Sequence, residues 1–342
     1  MAELKLEPWA EAIDTLPLAG SVEERCRAAV GCAILAPSSH NAQPWLFQLT
    51  HDRIDLYADR SRALPVADPE DRELIISCGA ALHHLRLALA MAGLGAETVL
   101  LPDPDDPDLL ARVTVSGTHD PDDLERDLGR QIARRHTNRR PFEPRPVPGT
   151  LLEGLGAAAR EEGAWLEVVR GEGERALLAD LIAAADRRQL ADRRFRRELA
   201  AWTRSNVSRR RDGIPGYGMG FGAVVSVGAP LVLRTFDVGE GRAARDRELA
   251  LGSPCLAVLG NASDAPADLL RAGQALSRIL LLARAGDVQA SFLNQPIEVE
   301  DYRREVEELI GREGRVQLIL RMGFGPTVAG TPRRGLDEVL LS

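Results

Sequence analysis

Between Ala36 and Phe47 the chain reads Ala-Pro-Ser-Ser-His-Asn-Ala-Gln-Pro-Trp-Leu-Phe, with hydrogen-bonding side chains at Ser38, Ser39, Asn41 and Gln43. Pro37 fixes φ and ends the helical stretch before it. Pro44-Trp45-Leu46-Phe47 opens a strand that carries a large ring in a chain only 4% aromatic. A polar loop beside an apolar strand end suits a ligand with a hydrogen-bonding rim and a flat apolar body. A helix-to-strand turn capped by Asx and Ser side chains is the plainer reading. A second concentration of chemistry lies at Arg134-Arg135-His136-Thr137-Asn138-Arg139-Arg140-Pro141-Phe142. Permanently charged, bidentate guanidinium donors beside a Thr hydroxyl make a phosphate grip. The rival, a solvated basic helix end, is weakened by Pro141-Phe142, which would bury one end. Two C-terminal segments add polar groups: Ser291-Phe-Leu-Asn294-Gln295-Pro296, and a tail carrying Pro332-Arg333-Arg334.

The elements that position these residues show internal repetition. Gly79-Ala-Ala81-Leu82-His-His-Leu85, running on to Leu94-Gly-Ala96, matches Gly273-Gln-Ala275-Leu276-Ser-Arg-Ile279, running on to Val288-Gln-Ala290, at an offset of 194. Both segments are apolar nearly all round, the pattern of helices at the centre of a domain. Strand-like runs follow each, at Arg112–Val115 and Arg315–Leu320. The shared order points to duplication, with residues 1–125 as a first half and 126–342 as a second. Asp103-Pro-Asp-Asp-Pro107, Asp120-Pro-Asp-Asp123 and Arg145-Pro-Val-Pro148 punctuate the boundary as turns and caps. Residues 206–247 contain Asp212-Gly-Ile-Pro-Gly-Tyr-Gly-Met-Gly-Phe-Gly222 and have no counterpart in the first half. This long irregular insertion is expected to form a lid, with Tyr217, Met219 and Phe221 folding back over something flat and apolar.

Length and composition set the outer limits. The chain has 342 residues, 44% hydrophobic and 27% charged, as expected of a soluble globular protein. A net charge of -8 argues against nonspecific nucleic-acid binding. No apolar run of transmembrane length is evident, and the N-terminus lacks a signal core, so a cytoplasmic protein without membrane or nucleic-acid partners is expected. Cys26, Cys32, Cys78 and Cys255 have no metal spacing and read as small core residues. His83 and His84 read as polar surface or interface residues, not metal ligands. His51, Asp52 and Asp55 read as a solvated strand turn, and the carboxylates of residues 103–108 as a turn.

The string Ala36-Pro37-Ser38-Ser39-x-Asn41-x-Gln43-Pro44-Trp45-x-Phe47 resembles the flavin-contacting loop of the nitroreductase family, whose members bind FMN between two like-folded subunits. The resemblance implies an α+β fold, with the tandem halves forming a single-chain pseudo-dimer like the fused Acg-type proteins. It also implies FMN contacts from Pro37, Ser38, Ser39, Asn41 and Gln43. The segment at residues 134–142 is similar to the family's Arg-x-Ser/Thr-x-Lys/Arg motif. On that match Arg135 and Thr137 hold the phosphate and ribityl chain, and Arg139 lies on the pyrimidine edge. One extra residue before Phe142 departs from the motif. Asn294 and Gln295 fall in the loop whose amides approach flavin N5 and O4, and Arg333 and Arg334 in the basic tail that reaches the phosphate.

The flavin loop occurs only in the first half, and the arginine motif and tail only in the second. One complete FMN site and one degenerate site are therefore expected. No catalytic side chain is required, because the chemistry would lie on flavin N5. The function implied is hydride transfer from NAD(P)H to a nitro- or quinone-like acceptor, by a monomer. No Gly-x-Gly-x-x-Gly follows a strand, so NAD(P)H would need the open face of the flavin. If the Gly-rich segment covers that face, the alternative is a protein that sequesters FMN with little reductase activity.

Overall fold

The computed structural model describes Trp9, Leu16 and residues 19–341. The first half builds α1 (Val22–Ala33), β1 (Trp45–Thr50), β2 (Arg53–Ala58), α2 (Arg72–Met91), β3 (Leu94–Leu100) and β4 (Leu109–Thr118). Ser21 starts α1 with a capping box: its Oγ accepts from Glu24 N at 3.2 Å, and Ser21 N donates to Glu24 Oε2 at 2.8 Å. After α3 (Asp123–Gln131), the second half repeats the order with α4 (Gly149–Glu161), β5 (Trp165–Val169), β8 (Cys255–Asn261), α9 (Pro266–Ala285), β9 (Gln289–Phe292) and β10 (Arg315–Gly323), with α10 (Glu300–Ile310) between the last two. The strand orders β1-β2-β4-β3 and β5-β8-β10-β9 match, and these strands pair antiparallel. This is the expected α+β fold in tandem halves. Leu94-Gly-Ala96 and Val288-Gln-Ala290 belong to the turn and strand after each repeat helix, not to the helix itself.

The repeat is what joins the halves. Helices α2 and α9 cross at Gly79 and Gly273. A Cβ on Gly79 would lie 2.3 Å from Leu270 O, and one on Gly273 would lie 2.1 Å from Ile76 O and 2.8 Å from Gly79 Cα. Only glycine permits this approach. One turn on, His83 Nδ1 meets Ser277 Oγ at 2.8 Å, and the two residues are again 194 apart. Duplicated residues therefore meet their own mates on the pseudo-twofold axis, and buried side chains of both halves form one continuous core. Both His83 and His84 are buried, neither at the surface, with His83 at the interface between the halves as the second alternative had it. Arg72–Met91 is long and apolar enough to span a membrane, contrary to the expectation of no such run, but 89% of its apolar window is buried inside the protein.

The C-terminal tail also crosses over. Short β11 (Leu340–Leu341) adds to the first half's sheet, parallel to β1, with Phe47 opposite Leu340. Asp55 differs from the solvated reading. It sits opposite Arg112 in the β2–β4 register and accepts two bonds from it, at 2.8 and 2.9 Å, so it is buried as a paired charge.

The halves differ most between their first two strands. Residues 51–52 join β1 to β2, whereas residues 170–254 separate β5 from β8. That segment holds α5 (Glu172–Ala191), α6 (Arg193–Trp202), the two-residue strands β6 (Thr203–Arg204) and β7 (Ile214–Pro215), α7 (Ala223–Thr235) and α8 (Gly239–Leu251). The insertion is thus longer than 206–247 and largely helical, with only its Gly-rich centre irregular. Gly213 ties it down: Gly213 N donates to Asn41 O at 3.2 Å, and Gly213 O accepts from Asn41 Nδ2 at 3.0 Å. With φ +77° and Trp202 O 2.5 Å from where a Cβ would stand, only glycine suits this position. Helix α7 turns Ser226, Ala229 and Leu233 inward and leaves Val224, Val225, Val227 and Leu231 exposed.

Candidate functional site

A cleft with about 970 Å³ of empty space opens where the halves meet beneath the insertion. Its walls include Pro37, Ser38, Ser39 and His40 from the first loop, Glu73, Ile76 and Ser77 from α2, and Arg139, Phe292, Asn294 and Gln295 from the second half. The insertion adds Asp186, Gln189, Phe195, Ile214 and Arg242. Residues separated by about half the chain thus line one space, because the α2–α9 crossing brings the two sheets' ends together.

The first loop is built under strain. His40, Asn41 and Gln43 all have positive φ, at 50°, 55° and 55°, a region costly for non-glycine residues. Side-chain bonds hold Asn41 and Gln43 there. Asn41 Nδ2 donates to Gly213 O and Pro332 O at 3.0 Å each, and its Oδ1 accepts from Arg333 Nη1 at 2.6 Å. Gln43 Nε2 donates to Arg211 O at 2.8 Å, and its Oε1 accepts from Arg334 N at 2.8 Å. These two amides knot the loop, the insertion and the tail together, and neither lines the cleft. Ser38 Oγ accepts from Gln43 N at 3.0 Å, and Ser39 Oγ donates to Glu73. Of the five loop residues expected at a ligand, Pro37, Ser38 and Ser39 reach the cleft.

The arginine segment divides in the same way. Arg139 faces the cleft and has no hydrogen bond or ion pair among the described residues. Burial, then the positive Arg242, lowers it to about 10, so it stays charged at neutral pH. Arg135 and Thr137 lie in a smaller adjoining recess with His136, Leu280, Arg284 and Gln289, and Phe292 lines both spaces. Arg135 Nη2 donates to Leu35 O at 3.0 Å, while its Nε has no partner. Arg333 packs nearby. Its Nη2 donates to Leu35 O at 3.2 Å and Ala36 O at 3.1 Å, and its Nε is also unpartnered. Both guanidiniums stand over the Trp9 ring, at 6.0 and 4.7 Å. Burial depresses both, Arg135 to about 10 and Arg333 well below its usual value, where Arg135 itself contributes. Neither has a carboxylate partner within ion-pair distance among the described residues. Arg334 does not reach the recess; it bonds to Gln43 O, Trp45 O and Asp59.

The remaining wall is acidic, and the motif reading missed it. Glu73 accepts from Asn294 Nδ2 at 3.1 Å as well as from Ser39. Glu298 accepts from Gln189 Nε2 at 2.6 Å, and Gln295 Nε2 donates to Asp186 at 3.3 Å and Asp246 at 2.9 Å. Burial pushes Glu298 up to about 8, with the negative Glu73 adding to the effect. Burial also pushes Asp186 to about 7, opposed by Arg242. Buried carboxyls held near neutral can donate as well as accept hydrogen bonds. Burial and two arginines lower His40 to about 4. Sequence spacing marks none of these groups, because their partners come from other elements. Arg321, in contrast, was visible as a lone charge inside the apolar run Val316–Gly323.

The pseudo-twofold axis places a second pocket in the other half. Leu280, Arg284, Val288, Gln289 and Ala290 of the small recess correspond at the repeat offset to Arg86, Ala90, Leu94, Gly95 and Ala96, which line a pocket with His83, Arg278 and Glu162. Here the charges are neutralised from within. Glu162 accepts from Arg86 Nη1 at 2.9 Å and from Arg278 Nη1 at 3.4 Å. Among the described residues, no group of three or more His, Cys, Asp or Glu side chains could hold a metal ion.

No family model matches the chain. Among curated proteins of Mycobacterium tuberculosis, the chain is 34% identical over 325 residues to the uncharacterised Rv3127, with 91% of each chain covered. It is 33% identical to Rv3131 over 93% of this chain and 91% of that one, and 30% identical to Acg over 92% and 94%. Both of these are named as candidate NAD(P)H nitroreductases. A crystal structure of the FMN-dependent nitroreductase NfnB from Mycobacterium smegmatis with NADPH is 19% identical, covers 63% of this chain and 97% of its own, and has a TM-score of 0.40. On the relatives' identity over nearly their whole length, the chain belongs to the nitroreductase family, within the fused single-chain group that includes Acg.

Proposed function

We infer that this chain binds one FMN and acts as an FMN-dependent NAD(P)H oxidoreductase on a nitro- or quinone-like acceptor. The carrying observation is Arg135 in the recess and Arg333 packed beside it, both buried with no carboxylate partner among the described residues and with both Nε atoms unpartnered there. Buried cations of this kind are costly unless paired. A flavin phosphate would supply the missing charge and acceptors, with Thr137 as a neutral donor and Arg284 at the rim. The adjoining cleft, with its apolar Pro37, Ile76, Phe195 and Leu276, suits the flat ring.

When bound, FMN supplies two-electron redox chemistry between a nicotinamide donor and the acceptor. The chain's part is placement and electrostatics. Arg139 holds a positive charge on the ring side of the cleft, favouring an anionic partner there. Ser38 and Ser39 offer hydroxyls at the rim. Glu298 and Asp186, raised by burial, hold protons close to neutral pH. The expected Asn41 and Gln43 contacts are replaced by a supporting role, since both amides spend their bonds on protein groups. Arg334 likewise supports the loop.

The sequestering alternative requires the insertion to seal the cleft. Tyr217 Oη donates to Gly330 O at 2.7 Å and does not line the cleft, while Met219 and Phe221 border a further chamber. The expected cover by Tyr217 is thus not over the cleft, which supports the turnover reading, while Phe195 and Ile214 supply the insertion's wall. The test is anaerobic: NADH or NADPH is added to the purified protein while flavin absorbance is followed. Bleaching within seconds is expected. A yellow protein reduced only by dithionite supports sequestration, and a colourless protein that takes up no FMN defeats both readings.

A further inference from the structure

The chamber beyond Arg139 has its own chemistry. It spans about 1050 Å³ of empty space, part of it open to solvent, and joins the main cleft through Arg139, Arg242 and Phe292. Four guanidiniums line it, those of Arg139, Arg242, Arg245 and Arg321, against one carboxylate, that of Asp246. Arg242 is shared between Asp186 and Asp246, both at 3.5 Å. Arg139 and Arg245 have no hydrogen bond or ion pair among the described residues. Arg321 is 1% exposed. It donates to Arg140 O and Asn138 O at 3.0 Å each, and its Nε has no partner. Burial holds Arg139 and Arg321 near 10. The rest of the wall is apolar, with Phe221, Leu233, Val238 and Leu249.

We propose that this chamber receives the anionic group of a redox co-substrate, a carboxylate or phosphate, whose flat ring lies in the main cleft. The inference rests on the FMN reading and adds a charge requirement to it. The net positive wall would be relieved by an anion, and guanidiniums match carboxylate and phosphate geometry in bidentate fashion. The apolar side accepts the ring or linker of such a ligand. Arg242, Arg245 and Asp246 all belong to α8, inside the insertion, and the β1–β2 turn has no equivalent. The insertion therefore adds a recognition wall to one site only. The anion could belong to the electron acceptor, as an aromatic acid, or to the dinucleotide donor; the chemistry is shared.

The two half-reactions separate these sources. Stopped-flow measurements on the FMN-loaded protein compare 4-nitrobenzoate with neutral 4-nitrobenzamide in the oxidative half, and NADPH with neutral 1-benzyl-1,4-dihydronicotinamide in the reductive half. In Arg245→Gln, the charged member of one pair should bind about fivefold more weakly, a discounted value for an exposed charge. The neutral member and the FMN content should be unchanged. Loss with 4-nitrobenzoate assigns the acceptor, and loss with NADPH the donor. Equal behaviour of charged and neutral members in both halves overturns the proposal, as does a loss of FMN content in Arg245→Gln, which would make the chamber part of the cofactor site. Should the variant fold poorly, added salt serves on the wild-type protein: it should weaken the charged members alone, and equal weakening defeats the proposal. A wild-type protein that takes up no FMN fails earlier, and it refutes the flavin reading rather than the charge requirement.

Discussion

The two pockets related by the α2–α9 axis began as the same design and have diverged in charge. On one side, Arg135 and Arg333 are buried with carbonyl partners and no carboxylate among the described residues. On the other, Glu162 stands between Arg86 and Arg278 and closes the charge internally. Glu162 follows α4 as Ile34 and Leu35 follow α1, so a carboxylate takes the place of backbone that serves the cationic recess. On the proposed reading, an internal anion satisfies the cations of the second pocket that would otherwise call for a ligand, and the FMN site is the one whose cations the described residues leave without a carboxylate.

The shared axis is the first thing to break. Gly79→Ala and Gly273→Ala each put a Cβ into backbone of the partner helix, at 2.3 and 2.1 Å. Both should lower stability by more than about 4 kcal/mol and give little folded protein. Because the residues are mates, the two losses should be alike in thermal melts. Tolerance of one but not the other would show that the crossing is not symmetric.

Next comes the contrast between the pockets. Arg135→Ala should weaken FMN binding by roughly 10- to 100-fold, the value of a charge-assisted contact of about 1.5–3 kcal/mol. Arg86→Ala, on the silenced side, should leave FMN affinity unchanged. Fluorescence titration of the apoprotein decides between them, and an equal loss in both variants would refute the division of roles. Glu162→Gln sharpens the point. It should cost up to about 1 kcal/mol in urea unfolding, because Arg86 loses its carboxylate while Arg278 keeps Glu161.

The acidic wall predicts a pH effect. The folded values of Glu298 and Asp186 are raised, to about 8 and about 7. Raised carboxyls bind protons more tightly in the folded state, so their contribution is full below the unfolded values and is lost as pH rises through the folded ones. Stability should therefore fall between pH 5 and 8, and Glu298→Gln should make that fall shallower. A wild-type profile that rises over this range, with no change in the variant, would contradict the assignment. The smallest effect is expected from Tyr217→Phe. Losing one half-exposed bond to Gly330 O should cost under about 1 kcal/mol by thermal melting and leave the reduction rate unchanged. A large gain in rate would instead mark the bond as a latch.

Much of this was legible locally. Gly79 and Gly273 sit in a repeated apolar segment, and a stripe apolar all round demands a buried helix whatever it packs against. Arg135 and Arg139 declared themselves by density and by Pro141-Phe142. Asp55 did not, since its partner Arg112 is set by strand register. Asn41 and Gln43 showed the right polarity but not its direction, because their partners are Gly213, Arg211, Arg333 and Arg334, each far away in sequence.

The sequence by itself determined that there are two related halves, that their helices are buried, and that the cationic and hydroxyl groups are divided between them. Those properties follow from side-chain chemistry and short-range periodicity, which need no partner to be read. Only the tertiary structure decided which of those groups remain free. Arg333 is saturated along most of its guanidinium and Arg139 is not, Glu162 fills one pocket, and α8 walls the other with charge. Hydrogen-bond satisfaction is a property of the neighbours that folding supplies, and here those neighbours lie up to about three hundred residues away, as Arg333 and Leu35 do.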